Sequence, residues 1–270
     1  MVTIVIPTLW RSPDTLHTTI NSFKAHTGQY PGTEFILIDN ANSDYVSDVI
    51  NVIKPRKNIG VNPAWNIGVD LADNENVIIM NDDLTLNWKP VFECLTKFDF
   101  TDFDYGTISS DRFGLCIDGQ EVNDDNDELV ITRNHSGRFF GFGCFFMVRK
   151  STYHAIPRMW PIFHGDDIIY YIQEHLHQRK SYFFQNLRMP GQFSVTSNSE
   201  EFHPMMEQEH DTWDLGVKAM DAWYQVMESP WYKGVRIDDV YCNCEECDCE
   251  RCQHCVDVGH TCCHHGEVVK

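Results

Sequence analysis

The sequence predicts an α/β fold in which helices flank a mostly parallel sheet. Three observations support this prediction. Apolar segments alternate with helical segments over residues 1–90, two of the apolar segments end in acidic residues, and the segment 77–80 is apolar at every position. A fully apolar strand is typical of a strand covered on both faces. Strands that alternate with helices usually form a parallel sheet with helices on both sides.

The elements follow in chain order. Ser12 and Pro13 supply a cap and a first-turn proline for a helix that Gly28 can end. Further helices are predicted from Ser43 or Asp44, from Asn62, and over 166–177 and 207–227. The acidic segment 118–128 is expected to be a surface loop. Strands are predicted at 3–6, 34–38, 77–80, 105–109, 139–148 and 182–184.

Composition limits the possible classes of protein. A chain of 270 residues forms one large domain or one domain with an appendage. No apolar run reaches the length of about twenty residues that spans a bilayer, and residues 1–7 lack the basic region of a signal peptide. We therefore expect a cytoplasmic protein without membrane insertion. The net charge of −19 opposes tight binding to nucleic acid or anionic lipid, although the basic patch 54–57 remains.

Acidic residues follow or flank three apolar segments. Asp39 ends the second strand, an acidic pair at 82–83 follows the strand 77–80, and a second pair at 166–167 opens a helix. Ligands of open α/β sheets bind beyond the carboxyl ends of the strands, and carboxylate oxygens bind divalent cations that can bridge to a diphosphate. Each position taken alone is also explained by an ordinary turn or helix cap.

Several segments, taken in chain order over residues 1–190, resemble the family 2 glycosyltransferases, which have the Rossmann-like GT-A fold. Each segment is similar to a family motif: the opening strand, the second strand with its terminal Asp, the Asn/Gly-rich segment, the Asp-x-Asp motif, the glycine-containing acceptor strand and the Glu-Asp motif. In this sequence they are 3–8, 36–40, 58–62 with 66–68, 81–83, 141–143 and 165–167. Asn81 replaces the first acid of the Asp-x-Asp motif.

The resemblance implies an inverting transfer of a sugar from a nucleotide-sugar donor. It makes Asp83 the ligand of a Mn²⁺ or Mg²⁺ ion, Asp167 the base that deprotonates the acceptor, and Asp166 an orienting neighbour or acceptor ligand. Many members add a metal-binding His after the last strand, for which His203 and His210 are candidates. The implied donor-binding residues are Pro7, Asp39, Asn58, Gly60, Asn66 and Asp82.

The last thirty residues have a different composition. Eight cysteines lie between 242 and 263, whereas only three precede residue 240. Overlapping Cys-x2-Cys pairs have the spacing of zinc knuckles, and a short segment with few apolar side chains needs a metal to fold. We expect a zinc-stapled tail over 241–270 beside a transferase domain over 1–240; a disulfide-rich tail and an unfolded metal-scavenging tail are the alternatives. The candidate zinc ligands are Cys242, Cys244, Cys247, Cys249, Cys252, Cys255, His260, Cys262, Cys263 and His264.

These observations leave several functions open. The leading prediction is a metal-dependent glycosyltransferase whose acceptor is a saccharide or glycoconjugate. A hydroxylated base in DNA is an alternative acceptor, which the zinc motif favours and the acidic charge opposes. A transferase fold that has lost catalysis and serves as a zinc-dependent binding module is a second class, motivated by Asn81 and by the lack of a His at 188–191, where the metal-binding His is first expected. A nucleotidyltransferase is the third, and the absence of a glycine-rich phosphate loop near the first strand counts against it.

Overall fold

The computed structural model describes residues 1–100, 103–110, 121–135, 142–158, 160–191, 199–205, 207 and 209. These residues form one eight-stranded sheet with the strand order β3-β2-β1-β4-β7-β5-β8-β6. The strands are β1 (Thr3–Thr8), β2 (Glu34–Asp39), β3 (Asn51–Ile53), β4 (Asn76–Met80), β5 (Tyr105–Ser110), β6 (Val130–Arg133), β7 (Phe145–Arg149) and β8 (Lys180–Gln185).

Four α-helices accompany the described part of the sheet. They are α1 (Pro13–His26), α2 (Val61–Leu71), α3 (Trp88–Lys97) and α4 (Gly165–Tyr171), the last of which continues as a π-helix over Ile172–Leu176. Pro13 begins α1, where its missing N–H costs no hydrogen bond. The Asn87 side chain caps α3 by accepting a hydrogen bond from the Lys89 N–H.

The helices cover both faces of the sheet and create two hydrophobic cores. Apolar side chains of α1 and α3 pack on one face of the central strands, and those of α2 and α4 pack on the other face. Every residue of β1 and β4 is consequently buried. Trp65 of α2 lies in the second core, where its ring packs edge-on against the ring of Phe146 with the ring centroids 5.5 Å apart.

The strand directions bring one end of each strand to a common edge. β3, β2, β1 and β4 run parallel, and β7 pairs antiparallel with both β4 and β5. The carboxyl ends of β1, β2, β4 and β5 therefore lie at the same edge as the amino end of β7. We call this the carboxyl edge of the sheet.

The predicted fold class is confirmed, with corrections to individual elements. The sheet is mixed rather than mostly parallel, because β7 enters between β4 and β5 in the opposite direction and β6 pairs antiparallel with β8. The helix predicted from Ser43 or Asp44 is wrong: irregular backbone leads there to β3. In the described part of the acceptor strand predicted over 139–148, Phe142–Cys144 form a 3₁₀ turn and the strand runs over Phe145–Arg149; residues 139–141 lie outside the described residues.

Several predictions lie outside the described residues. These are the helix 207–227, apart from residues 207 and 209, and the division of the chain between 240 and 241. All the candidate zinc ligands and His210 also lie outside them. Within the described residues, no helix combines the length and apolar character that crossing a bilayer requires.

Candidate active site at the carboxyl edge

Backbone hydrogen bonds join three strand ends and the start of β7 at the carboxyl edge. The Asn40 N–H donates to the carbonyl of Thr8 over 2.9 Å, which ties the end of β2 to the end of β1. The Asn81 N–H donates to the carbonyl of Cys144 over 3.0 Å, which ties the end of β4 to the start of β7. The residues that follow these strands therefore face one shared region.

Asp39 is fully buried, and four donors surround its carboxylate. Oδ1 accepts the Trp10 indole N–H at 2.9 Å and the Ala41 N–H at 3.1 Å. Oδ2 accepts the Ser43 N–H at 2.9 Å and the Ser43 hydroxyl at 2.7 Å. These hydrogen bonds compensate the burial of the carboxylate and join the loop after β1 to the loop after β2.

Trp10 has an unusual backbone conformation next to Asp39. Its φ of 56° lies in the left-handed region, which a bulky residue adopts only when its surroundings hold it. The Thr8 hydroxyl accepts the Trp10 N–H at 2.8 Å, and the indole packs against Tyr45 and His17 with ring centroids 5.0 and 5.4 Å away. These contacts fix an aromatic surface beside the carboxylate of Asp39.

The Asn/Gly-rich segment lies against the same region. The Asn40 amide donates to the carbonyl of Gly60 over 3.1 Å, and the Gly60 N–H donates to Asn58 Oδ1 over 2.9 Å. Gly60 has a φ of 87°, and a Cβ there would lie 2.5 Å from the carbonyl oxygen of Pro161. A glycine is therefore required where this loop meets the residues before α4.

Two of the predicted donor-binding residues, Pro7 and Asn66, have structural roles within the fold. Pro7 lies inside β1, opposite Ile38 of β2. The Asn66 amide donates to the carbonyl of Ile156 over 2.9 Å and accepts the Tyr153 hydroxyl at 2.9 Å and the Ile156 N–H at 2.8 Å. Asn66 thus fastens the loop after β7 to α2.

The acidic pair after β4 lies beside Thr8 and the chain segment that follows β8. The Thr8 hydroxyl donates to Asp82 Oδ2 over 2.6 Å. Burial raises the pKa of Asp82 above its ordinary value, and the Thr8 hydrogen bond opposes this shift. Asp83 is 7% exposed, and a Cβ on Gly191 would lie only 2.0 Å from its carbonyl oxygen.

The second acidic pair reaches the same edge from α4. The Gly143 N–H donates to Asp166 Oδ2 over 3.1 Å, and a Cβ on Gly143 would lie 2.9 Å from that oxygen. Asp166 is therefore tied to the start of β7. Asp167 Oδ2 lies 3.2 Å from His164 Nδ1, and the backbone of His164 is left-handed with a φ of 62°.

Beyond Gly191, the described residues after β8 contact this edge at two further places. The Arg11 guanidinium, in the loop after β1, pairs with Glu201 and lies 5.6 Å from the centre of the Phe202 ring. His203 follows and is exposed. Further along, the carboxylate of Glu209 accepts the N–H groups of Ile162 and Phe163 in front of α4.

The oxygens at this edge suit a hard cation. Asp82 and Asp83 are adjacent carboxylates at the end of β4, and carboxylates are the ligands that Mg²⁺ and Mn²⁺ prefer. Among the described residues, no cluster of three or more His, Cys, Asp or Glu side chains has the arrangement of a complete metal site. A metal here would therefore need further oxygens, such as those of a bound diphosphate.

Sequence reasoning did not identify four residues that shape this edge. Thr8, Trp10, His164 and Glu209 make side-chain contacts with partners 74, 29, 3 and 46–47 positions away in the chain. Of these four residues, Thr8 lies inside a segment that resembles a family motif, 3–8. His164 directly precedes the Gly-Asp-Asp motif and was the one adjacent signal that the sequence offered.

Comparisons with known proteins identify one family through a family model and one fold through solved structures. The model of the family described as Glycosyl transferase family 2 matches residues 3–166. A search of curated proteins finds no match. The structure of S. aureus TarS 1-349 is 14% identical with a TM-score of 0.50, and the alignment covers 77% of this chain and 64% of that one.

Two further solved structures have comparable similarity. The mannosyltransferase PcManGT from Pyrobaculum calidifontis, in complex with GDP-Man and Mn²⁺, is 12% identical with a TM-score of 0.50 and coverages of 76% and 60%. The glucosyl-3-phosphoglycerate synthase from Mycobacterium tuberculosis is 11% identical with a TM-score of 0.51 and coverages of 79% and 78%. At such identities the likeness shows the fold alone. The chain spans less than two thirds of the TarS and PcManGT structures.

Proposed function

Because the chain belongs to glycosyl transferase family 2 and has the GT-A fold, we propose that it transfers a sugar from a nucleotide-sugar donor to an acceptor hydroxyl. The observation that carries this proposal is the gathering of Asp39, the pair Asp82 and Asp83, and the pair Asp166 and Asp167 at the carboxyl edge. Two structures with the same fold support this proposal: PcManGT is bound to GDP-Man and Mn²⁺, and the mycobacterial synthase is bound to UDP-Glc and Mn²⁺.

The donor is proposed to bind along the loops that follow β1 and β2. Asp39 would contact the nucleobase, and a base N–H that bonds its Oδ1 would replace the Trp10 indole N–H found there. Asn58 and Gly60 border the same region, and Asp82 faces it from the end of β4. The donor pocket would thus use the loops that Asp39 already organises.

Asp83, with Asp82 beside it, would hold a Mn²⁺ or Mg²⁺ ion whose positive charge stabilises the leaving diphosphate. The carboxylate donors fit such an ion, because hard cations prefer oxygen ligands. His203 is proposed as a further ligand, since the anchoring of Glu201 on Arg11 keeps its segment near the loop after β1. Asn81 contributes no charge of its own, so the metal is expected to bind mainly together with the donor.

The reaction is proposed to invert the anomeric carbon. The acceptor oxygen forms a bond to that carbon, the bond from the carbon to the donor phosphate breaks, and its electron pair leaves with the diphosphate. Asp167 takes the proton of the acceptor hydroxyl, and His164 at 3.2 Å orients its carboxylate. Asp166, bonded to the Gly143 N–H, fixes the start of α4 against β7.

The acceptor is proposed to be a saccharide or glycoconjugate. A hydroxylated base in DNA is less compatible with this chain, because its net charge of −19 repels phosphate. The tail 241–270 is proposed to bind structural zinc through its cysteines and histidines. The second candidate function, a zinc-dependent binding module without catalysis, is favoured by Asn81 and by the lack of a His at 188–191.

The decisive experiment measures donor binding and turnover over a panel of UDP- and GDP-sugars, with Mn²⁺, with Mg²⁺ and with EDTA. We expect metal-dependent binding of one donor, loss of that binding in Asp83→Ala, and turnover at least about a hundredfold lower in Asp167→Asn with donor affinity retained. Asp73→Asn, an exposed change before β4, is the matched control. Binding without turnover in the wild type would instead favour the binding module.

A further inference from the structure

Glu209 is a buried carboxylate whose role follows from what it contacts. It is 2% exposed, so its charge must be compensated by hydrogen bonds or by an opposite charge. Its Oε1 accepts the Ile162 N–H at 3.1 Å, and its Oε2 accepts the Phe163 N–H at 2.6 Å. Burial raises the pKa of Glu209, while these two N–H groups and the nearby charge of His164 oppose the rise.

The peptide groups of Phe163 are held from two sides. Glu209 accepts the Phe163 N–H, and the Asn62 amide donates to the Phe163 carbonyl over 2.8 Å. The same Asn62 amide donates to the carbonyl of Trp160 over 2.6 Å. The irregular segment 160–164 is therefore clamped between α2 on one side and the segment after β8 on the other.

The clamp acts on the residue that contacts the proposed base. His164 follows Phe163 directly, and its φ of 62° is a strained conformation that persists only when its neighbours hold it. Its carbonyl accepts the Ile168 N–H at 3.0 Å and so starts α4, while its Nδ1 lies 3.2 Å from Asp167 Oδ2. The orientation of Phe163 thus sets both the first turn of α4 and the imidazole beside Asp167.

We propose that Glu209 is a positioning residue, which holds the peptide groups of 162–163 so that His164 and α4 present Asp167 to the acceptor. This inference rests on the proposed function, because it assigns Glu209 to the machinery of the same reaction. Glu209 accepts the backbone N–H groups of Ile162 and Phe163 and acts on the reacting atoms through His164 and Asp167. Its effect is therefore expected in turnover rather than in donor affinity.

The test compares Glu209→Gln and Glu209→Ala with Glu207→Gln, an exposed change in the same segment, all in the full chain. Hydrogen exchange at Ile162 and Phe163 should accelerate by about tenfold or more in Glu209→Ala, the change expected for loss of a hydrogen bond to a charged group. Glu209→Gln keeps one acceptor oxygen and should show a smaller change. Glu207→Gln should exchange like the wild type.

Kinetics with the donor from the nucleotide-sugar panel give the second readout. The kcat should fall about tenfold or more in Glu209→Ala and less in Glu209→Gln, with the KM for donor unchanged, because only the presentation of Asp167 is altered. Wild-type exchange in Glu209→Ala, or accelerated exchange with unchanged kcat, would overturn the positioning role. A wild-type chain that turns over no donor would overturn the proposed function instead, and the exchange contrast would still show that Glu209 holds the loop.

Discussion

Replacing Asp39 with asparagine keeps the shape of the side chain and removes its negative charge from the end of β2. In the structure, Oδ1 accepts two N–H groups and Oδ2 accepts an N–H and a hydroxyl. An amide offers one oxygen and one NH₂ group, so one of these pairs must face a donor. The less costly orientation turns the NH₂ toward Ser43, whose hydroxyl can rotate to accept while its backbone N–H loses its partner.

The cost follows from the hydrogen bonds that change. One backbone N–H left without an acceptor costs about 1–3 kcal/mol, and the remaining bonds weaken because their acceptor is no longer charged. We therefore expect Asp39→Asn to lower the free energy of unfolding by about 2–4 kcal/mol. That is a large share of the roughly 5–15 kcal/mol that stabilises a typical domain.

Urea denaturation without any nucleotide measures this cost separately from donor binding. The matched control is Asp44→Asn, which removes the same charge from an exposed position of the same loop. We expect the control to lie within about 0.5 kcal/mol of the wild type. If Asp39→Asn unfolds like its control, the buried carboxylate does not organise the two loops, and the reasoning is refuted.

Asp82→Asn should raise the free energy of unfolding at pH 7. The raised pKa of Asp82 means that folding favours the protonated carboxyl, so the ionised form destabilises the native state at every pH above the native pKa. This destabilisation disappears below the ordinary pKa of 3.8. If Asp82→Asn remains more stable than the wild type in urea titrations below pH 3.8, the stabilisation does not come from removal of the buried charge. Gly191→Ala places a Cβ 2.0 Å from the Asp83 carbonyl oxygen. It should lower the free energy of unfolding by about 2 kcal/mol in the same assay and should also weaken metal-dependent donor binding. Gly28→Ala, which meets nothing within 4 Å, is its control, and equal stabilities would show that the segment after β8 moves aside freely. Truncation after Val240 should release zinc, measured by atomic emission, and leave the circular dichroism of the sheet domain unchanged; unfolding of the whole truncated chain would mean that the tail belongs to the core.

The sequence was sufficient for the central strands and for the acidic residues at their ends. β1, β2 and β4 are apolar almost throughout because both faces of the sheet are covered, and such runs are visible without knowledge of their partners. The acidic residues follow directly from where those runs stop. The family model over 3–166 covers the same segments.

Elements that depend on distant contacts were not predictable in this way. The short strand β3 exists because it pairs with β2 from Ile36 to Ile38, and its three residues carry no period of their own. The helix predicted near Ser43 fails because Asp39 takes the Ser43 N–H and hydroxyl into a loop. Residues such as Ser43 often bond to nearby polar groups instead of continuing a helix.

The candidate site shows the same division. The positions of Asp39 and Asp167 could be inferred from motifs, but some of the groups that hold their surroundings come from distant parts of the chain. Trp10 reaches Asp39 from another loop, and Glu209 reaches the segment before α4 from more than forty positions away. No local pattern marks such residues, because each is defined by where the fold brings it.

The antiparallel pairing of β4 with β7 divides the sheet into two blocks of consecutive chain. The strands β1 to β4 carry the loops proposed to bind the donor, whereas β5 to β8 lie on the other side with the segment that leads into α4. Five residue pairs, from Asn76 with Arg149 to Met80 with Phe145, join the two blocks within the sheet. A chimera that exchanges one block for that of a relative must therefore preserve this ladder, and with it the contacts that Asn62 and Asn66 of α2 make with residues 153–163.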